Sequence, residues 1–457
     1  MSQTDAQSQP MQTPTGSQVA RSAALMIGVL AFAKLFSLSE KWIGLDRFGI
    51  GPDWDAFAAA NKLPEQLFTL IAGGALAFAF IPVFSAFLTA GDRERAWKLA
   101  SNVLNTIFLA AVVVAGTAFI FAPQLIGTLI SPGFSPEQIE KSAALMRILL
   151  FSTVVFSVSG LISGILYTHQ HFLLPALAPI MYDVGNLIGV VLLYRWFGIY
   201  GAAIGAVIGS CLHLLIQVPG LIRFRFRWRP ILDWRDPSLR EVIRLMIPRS
   251  LALVLANLNL LMAYNIASRL GEGSTAALDR GWTLMQLPET LIGTAMGIVI
   301  FPTLAALNAS GDLKGKRAAM SGALRFIILA SIPAATAMVL AGRPLVGVLE
   351  GGQFDSEGAS RVFSVLQFWA LGIVTHSRLE IVARSFFADK DMITPLIVGV
   401  VGGREAIVYV VLALLLVPLL GVGGLALANS LAVGVELLIL TAICGDAGTG
   451  LTSRRCW

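Results

Sequence analysis

The sequence contains little charge for its length. Only 13% of its 457 residues are Asp, Glu, Lys or Arg, whereas 56% are hydrophobic and the mean hydropathy is +0.77. A soluble protein usually has about a quarter of its residues charged, so a soluble fold is excluded. Apolar runs of about 18 residues or more recur, which is the length that crosses a bilayer as a helix. The sequence therefore predicts an all-α polytopic membrane protein.

Cysteine is nearly absent, and the motifs of soluble enzymes are missing. Cys211, Cys444 and Cys456 form no CxxC pair and no even framework, which argues against disulfides and cysteine-bound metals. The chain has no phosphate-binding P-loop, no HExxH and no GxSxG. These absences predict a transporter rather than an enzyme, with no cofactor and no bound metal. Energy for transport is then expected from a coupling ion or from the membrane potential.

We predict twelve membrane-spanning helices in two lobes around a central cavity. The predicted divisions are a disordered tail (1–20), a six-helix lobe (21–222), a basic linker (223–240), a second six-helix lobe (241–445) and a C-terminal tail (446–457). The N-terminal tail is polar and lacks the basic segment of a signal peptide.

A duplicated, proline-containing stretch relates the two lobes. Both copies begin with Leu-Pro-Glu and end in Gly-Asp. Pro64 and Pro288 are 224 residues apart, and Asp92 and Asp312 are 220 residues apart. Each lobe has an even number of predicted helices, so both insert in the same orientation and the substrate path lies between them. We interpret the two prolines as marking the starts of the second and eighth spans.

The linker alternates basic and aromatic residues from Arg223 to Arg229. This pattern can bind an RNA backbone, but beside a membrane span it favours anionic lipid headgroups, and we predict no nucleic-acid partner. Basic residues also concentrate in turns on the same predicted side, from Arg93 to Lys98 and from Lys314 to Arg317. The positive-inside rule therefore predicts that the linker and both termini face the cytoplasm.

Ionisable residues near or inside the predicted spans are the candidate functional residues, because charge is costly in a bilayer. A cationic set predicts a cavity with net positive charge for a phosphate or pyrophosphate, although basic side chains also snorkel from helix ends. Its members are Lys34, Lys41, Arg249, Arg269 and Arg280. Glu65 and Glu289 follow prolines at predicted helix starts, so capping is favoured over ligand binding. Glu40 and Asp183 are further candidates for a structural or gating role.

A series of short motifs runs through nearly the whole chain. They include Asp55-Ala56-Phe57, Leu63-Pro64, Pro132-Gly133-Phe134, Leu284-Met285-Gln286-Leu287-Pro288 and Gly352-Gln353-Phe354-Asp355. In this order they resemble the MurJ (MviN) lipid II flippase family, within the superfamily of multidrug, oligosaccharidyl-lipid and polysaccharide exporters. The resemblance implies a bacterial plasma-membrane transporter that moves an undecaprenyl-pyrophosphate-linked peptidoglycan precursor by alternating access. It also implies proteins of cell-wall synthesis as partners.

The resemblance transfers candidate cavity residues to the first part of the chain. The family's acidic residue in the Asp-Ala-Phe motif corresponds to Asp55, a candidate substrate-binding residue. The first-helix arginine position holds Lys34, which keeps the charge but loses the planar fork of arginine. At the end of the first helix the family has an arginine followed by an acidic residue. In this chain the acidic residue comes first, as Glu40-Lys41.

Other family positions are changed, which leaves the function open. The arginine positions of the second and eighth helices fall on Phe68 and Thr283, and Arg280, one helical turn before Thr283, is the candidate substitute. With twelve predicted helices, the chain is also expected to lack the last two helices of the family. The first hypothesis is a lipid II flippase. The alternatives are a drug/cation antiporter or polysaccharide-lipid flippase, and a non-transporting scaffold homologue.

Overall fold

The computed structural model describes residues 36–71, 75–169, 171–256, 258–389, 391, 394, 398 and 403–445. Within these ranges the chain is almost entirely helical, and the one β-feature is an isolated bridge between Gly351 and Phe354. The main helices, numbered in chain order, are α1 (residues 36–48), α2 (Pro52–Ile71), α3 (Ala75–Thr89), α4 (Arg93–Ile120), α5 (Pro136–Thr168), α6 (Leu173–Ile188), α7 (Ile199–Leu215), α8 (Pro237–Ala256), α9 (Leu258–Ala267), α10 (Ser274–Glu289), α11 (Ala295–Ala309), α12 (Leu313–Gly347), α13 (Ser356–Ala388), α14 (Gly403–Leu420) and α15 (Val422–Gly445).

The protein is a polytopic membrane protein. In the described part of the chain, eight helical segments are long and apolar enough to cross a bilayer. Two shorter apolar segments, Ala79–Thr89 and Ala406–Leu420, accompany them. Much of the predicted first span, and part of the eleventh, lie outside the described residues, so the total of twelve spans stays a prediction. The division into domains at the stated boundaries also stays a prediction.

The prediction that Pro64 and Pro288 mark helix starts is wrong. Pro64 lies inside α2, which begins at Pro52, and Pro288 lies inside α10, which begins at Ser274. The apolar run begins late in each helix because the preceding turns carry polar residues that face the interior. A π-helical turn, Thr290–Thr294, directly follows Pro288. The proline ring lacks an N–H and crowds the preceding turn of the helix. A wider π-helical turn accommodates both effects.

Glycines bring α6 and α7 into backbone contact in the first lobe. A Cβ added at Gly185 would lie 2.1 Å from the Gly209 nitrogen, and one at Gly205 would lie 2.5 Å from the Gly189 Cα. The helices therefore pack at a distance that only small residues allow. This close packing fixes α6, which carries Asp183, against its neighbour.

The basic linker is docked on the first half of α4. Phe226 packs against Trp97 of α4, with ring centroids 5.4 Å apart, whereas Arg223, Arg225 and Arg227 are exposed. Asn102 of α4 exchanges two hydrogen bonds of 2.9 Å with the backbone of residue 233. The alternation of the sequence thus places aromatic rings against the helix and guanidinium groups outward.

Substituting Asn105 by alanine is expected to loosen the linker. The Asn105 amide donates to the Arg229 and Ile231 carbonyls at 2.9 and 2.8 Å and accepts from the Trp228 Nε1 at 2.9 Å. Each bond is worth about 1 kcal/mol, so tryptic cleavage within the linker should accelerate about tenfold or more. The matched control is Thr117→Ala, which removes a hydroxyl bonded to Val113 within α4. Equal cleavage rates in both variants would contradict this prediction.

Candidate functional site

A cavity of about 430 Å³ lies between the two lobes. Helices α1, α2, α5, α6 and α7 supply its walls from the first lobe, and α10 supplies the wall from the second. The lining is polar on its α1, α2 and α10 sides and includes Ser37, Glu40, Lys41, Asn61, Lys62, Glu65, Asp279, Arg280 and Gln286. This position between the lobes agrees with the path expected from the repeat.

Arg280 is the most buried cation of the cavity lining, with 3% of its surface exposed. Its guanidinium lies 3.8 Å from the ring centroid of Trp54, an arrangement that holds the planar group by a cation–π contact. The Nε and Nη2 atoms have no hydrogen-bond partner among the described residues. Buried N–H groups normally have partners, so this guanidinium is prepared to donate to an anionic ligand.

Lys62 connects the two lobes inside the cavity. Its ammonium lies 3.0 Å from a Glu65 oxygen on the same helix and 3.4 Å from an Asp279 oxygen on α10. Tyr264 of α9 donates a hydrogen bond of 2.5 Å to the same Asp279 oxygen, and the Lys62 ammonium lies 4.5 Å from its ring centroid. This cluster places one cation between two carboxylates that belong to different lobes.

The expectation of a positively charged cavity is wrong for the described lining. Three cations line it, Lys41, Lys62 and Arg280, together with four carboxylates, Glu40, Glu65, Asp183 and Asp279. The sequence-based prediction overlooked Asp279, which directly precedes Arg280, and it counted Arg269, which lies elsewhere. The cations are therefore accompanied by acidic partners in this arrangement of the lobes.

The structure brings together part of the predicted site. Of the predicted residues, Lys41, Arg280, Glu40, Glu65 and Asp183 line the cavity. Lys34 and the side chain of Arg249 lie outside the described residues. The roles of all these residues in substrate binding stay predictions.

Arg269 is placed elsewhere. It is exposed in the turn between α9 and α10, where its Nη2 lies 3.4 Å from the Asn265 Oδ1. It is absent from the cavity lining because it follows the last turn of α9.

The expected capping roles of Glu65 and Glu289 are also wrong. Glu65 lies in the interior of α2, and Glu289 lies at the end of α10 where a π-helical turn continues the helix, so neither meets the free N–H groups of a helix start. Glu65 instead pairs with Lys62, whereas Glu289 is the last residue of α10 and is not in the cavity lining.

Asp55 joins the lobes outside the cavity rather than lining it. Its carboxylate accepts hydrogen bonds from the backbone N–H of Gly273 at 2.5 Å and of Ala276 at 2.7 Å, and Asp55 is 1% exposed. These donors are the first N–H groups of α10, whose own N-cap, Gly273, has no side chain. A carboxylate of the first lobe therefore caps a helix of the second lobe.

Further contacts accompany this cap at the end of the molecule opposite the linker. Gly133 N–H donates to the Ser268 hydroxyl at 3.1 Å, the Asn265 amide donates to the Leu129 carbonyl at 2.8 Å, and Gln353 N–H donates to the Asp46 carbonyl at 2.8 Å. We call these contacts and the Asp55 cap the distal seam. Together they connect the two lobes at that end.

The lobes also meet at the linker end. Leu239 and Val242 of α8 are buried in one cluster with Phe80 and Phe84 of α3. The two lobes are consequently in contact toward both ends of the molecule in this arrangement.

A family model described as lipid II flippase MurJ matches residues 46–455. The chain belongs to the MurJ lipid II flippase family. Among its relatives, the lipid II flippase MurJ of Burkholderia cenocepacia is 28% identical over 431 residues, which cover 92% of this chain and 82% of the relative. The probable lipid II flippase MurJ of Rhizobium meliloti is 27% identical over 432 residues, which cover 91% and 78% respectively.

Solved structures show the same fold. A lipid II flippase MurJ in an inward closed conformation superposes with a TM-score of 0.80 at 23% identity, over 91% of this chain and 86% of that chain. An inward-facing MATE family transporter of the MOP superfamily superposes with a TM-score of 0.77 at 15% identity, over 91% and 96% respectively. The family model confirms the expected membership of the MurJ family, and both solved structures share the fold of this chain.

The two changed MurJ family positions both line the cavity. Phe68 and Thr283 stand where the resemblance places arginines, and both are among the lining residues. The Phe68 ring lies 4.4 Å from that of Phe156, so this wall of the cavity is aromatic. Arg280 and Lys62 are the buried cations of the described lining, and only the first of these was a predicted site residue.

Proposed function

We propose that this protein is a lipid II flippase of the bacterial plasma membrane that works by alternating access between its two lobes. The family model and the curated relatives support this substrate. The observation within the molecule that carries the proposal is Arg280, a buried guanidinium with two unpaired nitrogens in the inter-lobe cavity. A guanidinium is the side chain best suited to bind a pyrophosphate by paired hydrogen bonds.

Alternating access requires contacts between the lobes that can be made and broken. The distal seam consists of a few hydrogen bonds, and one carboxylate, Asp55, supplies two of them. The α3–α8 contact at the linker end is apolar and involves different residues. Separating the lobes at one end while the other end stays closed would expose the cavity to one side of the membrane at a time.

The proposal is tested by complementation of a bacterial strain depleted of its own lipid II flippase, together with lipid II translocation in proteoliposomes. We expect rescue of growth and translocation that requires this protein. Stable membrane expression without rescue and without translocation would contradict the proposal and favour a non-transporting scaffold. Sodium- or proton-driven dye efflux without lipid II translocation would favour a drug/cation antiporter.

The orientation and the energy source belong to the same proposal. The basic linker supports a cytoplasmic position for its end of the molecule and for both termini. We assign no cofactor to the transport cycle, and the driving force is a coupling ion or the membrane potential. Association with proteins of cell-wall synthesis stays a prediction.

The exposed linker arginines are expected to bind anionic lipid headgroups. Arg223, Arg225 and Arg227 point outward beside the exposed rings of Trp228 and Trp234, an arrangement suited to the membrane interface. Each arginine near an anionic surface contributes about 1 kcal/mol, so replacing all three by glutamine should weaken phosphatidylglycerol binding roughly a hundredfold. The measurement is the rise in Tm with phosphatidylglycerol relative to phosphatidylcholine.

The control for this lipid experiment is Arg343→Gln. Arg343 lies near the C-terminal end of α12 and bonds to Glu350 at 2.8 Å, remote from the linker. It should leave the lipid-specific rise in Tm unchanged. An unchanged rise in the triple linker variant would contradict headgroup binding at this site.

A further inference from the structure

The pairing of Lys62 is divided between the two lobes. Glu65 is three residues away on α2, so its 3.0 Å contact with Lys62 does not depend on how the lobes are arranged. Asp279 is on α10, so its 3.4 Å contact exists only while α2 and α10 lie together. Lys62 is 5% exposed, and among the described residues its carboxylate partners are Glu65 and Asp279.

Asp279 is held in place for this contact. The Tyr264 hydroxyl donates to it at 2.5 Å, and Tyr264 is fully buried on α9 of the second lobe. A partly buried carboxylate bonded on one side to its own lobe and on the other to Lys62 has a defined position. When the lobes separate, Asp279 therefore moves with Tyr264, and Lys62 moves with Glu65.

Separation of the lobes leaves the Lys62 ammonium with one of its two carboxylates. A buried ammonium that loses an anion is strongly destabilised unless another anion takes its place. The cavity beside it is also lined by Arg280, whose Nε and Nη2 have no hydrogen-bond partner among the described residues. A pyrophosphate group arriving there could take the position that Asp279 occupied and restore the charge balance.

We propose that Lys62 is a second substrate-binding cation, which Asp279 masks in the closed arrangement and which exchanges Asp279 for the anionic headgroup when the lobes separate. The inference rests on the proposed function for the presence of a pyrophosphate headgroup. It adds that Asp279 competes with the substrate for the same ammonium. The Lys62–Asp279 ion pair thus couples headgroup binding to the separation of the lobes, because each of these two events requires that ion pair to break.

The test compares the two partners of the ion pair, because exchange predicts effects of opposite sign. The probe is farnesyl pyrophosphate, titrated against the purified full-length protein in detergent. Asp279→Asn removes the competitor, so the affinity should rise at least severalfold, whereas Lys62→Met removes the ligand, so the affinity should fall about tenfold or more. A pair with a purely structural role would weaken binding in both variants, and that result would overturn the proposal.

A milder variant and a control protect the comparison from misfolding. Tyr264→Phe keeps both charges and removes only the hydroxyl that positions Asp279. It should therefore raise the affinity for farnesyl pyrophosphate, but less than Asp279→Asn does. Glu380→Gln is the control, because Glu380 pairs with Arg384 at 2.5 Å within one helix of the second lobe and is not in the cavity lining. It should leave the affinity unchanged. A fall in affinity with Tyr264→Phe would also overturn the exchange.

A second readout follows the lobes directly. Spin labels at Ala90→Cys and Ser310→Cys, which are exposed in equivalent turns of the two lobes, report the distance between them by pulsed electron resonance in a background without the native cysteines. Asp279→Asn should increase the separated population, and farnesyl pyrophosphate should increase it in the wild type. An unchanged distribution in both cases would overturn the coupling. Failure of lipid II translocation with these results intact would instead count against the proposed function.

Discussion

Replacing Arg280 by alanine should abolish rescue of a flippase-depleted strain and reduce farnesyl pyrophosphate affinity roughly a hundredfold. The side chain is 3% exposed, and two of its nitrogens have no partner among the described residues. Charged hydrogen bonds to a phosphate group contribute about 1.5–3 kcal/mol each, so loss of both removes about 3 kcal/mol or more. Protein abundance and Tm should change little, because the Nε and Nη2 atoms make no hydrogen bond with the described residues.

Arg280→Lys separates the charge of this residue from its shape. The lysine keeps one positive charge, but it cannot donate in a planar fork or stack on Trp54 as a guanidinium does. We therefore expect intermediate affinity, about tenfold below the wild type, and partial rescue. The control is Arg384→Lys, because Arg384 pairs with Glu380 on its own helix and should tolerate the change. Full activity of Arg280→Ala would contradict a substrate-binding role for the cavity guanidinium.

The fold class and the position of the cavity follow from the sequence for a physical reason. Hydropathy identifies helices that contact lipid, and a duplicated segment places the path between two similar lobes. Helix starts do not follow in the same way, because α2 and α10 begin with residues that face the interior. Polar residues between Asp53 and Lys62 precede the continuous apolar run of α2. Hydropathy therefore places the helix start at Pro64, although the helix already begins at Pro52.

The pairing of the cavity charges could not be predicted from one sequence. Arg280 was identified because an intramembrane arginine stands out against its apolar surroundings. Lys62 and Asp279 are 217 residues apart, and neither spacing nor composition indicates that they meet at 3.4 Å. Lys62 and Glu65 are spaced i,i+3, but a helix predicted to begin at Pro64 leaves Lys62 outside it, so their pairing was not predicted either. Counting basic residues alone therefore overestimated the positive charge of the cavity.

Asp55→Ala is expected to open the distal seam and to abolish rescue. The substitution leaves the N–H groups of Gly273 and Ala276 buried without their carboxylate. Gly273 adopts φ +80°, and a Cβ there would lie 2.5 Å from the Ile50 carbonyl oxygen, so no capping side chain can be introduced from α10 itself. Two unpaired donors cost about 3 kcal/mol, which should shift the lobes toward the distally open state roughly a hundredfold.

Spin labels at Glu137→Cys and Glu357→Cys, exposed near the distal end of each lobe, should report the opening as a longer distance. Asp53→Asn is the matched control, since Asp53 lies in the same turn of α2 but pairs with Lys141 of its own lobe. The distance between the labels in Asp55→Asn should lie between the distances in the wild type and in Asp55→Ala. An amide keeps one acceptor oxygen but loses the charge that stabilises a helix start. If Asp53→Asn opens the distal end as much as Asp55→Ala does, the cap between the lobes is not what holds the seam closed. If Asp55→Ala binds farnesyl pyrophosphate normally yet fails to rescue, the residue acts in closing the transporter rather than in binding its substrate.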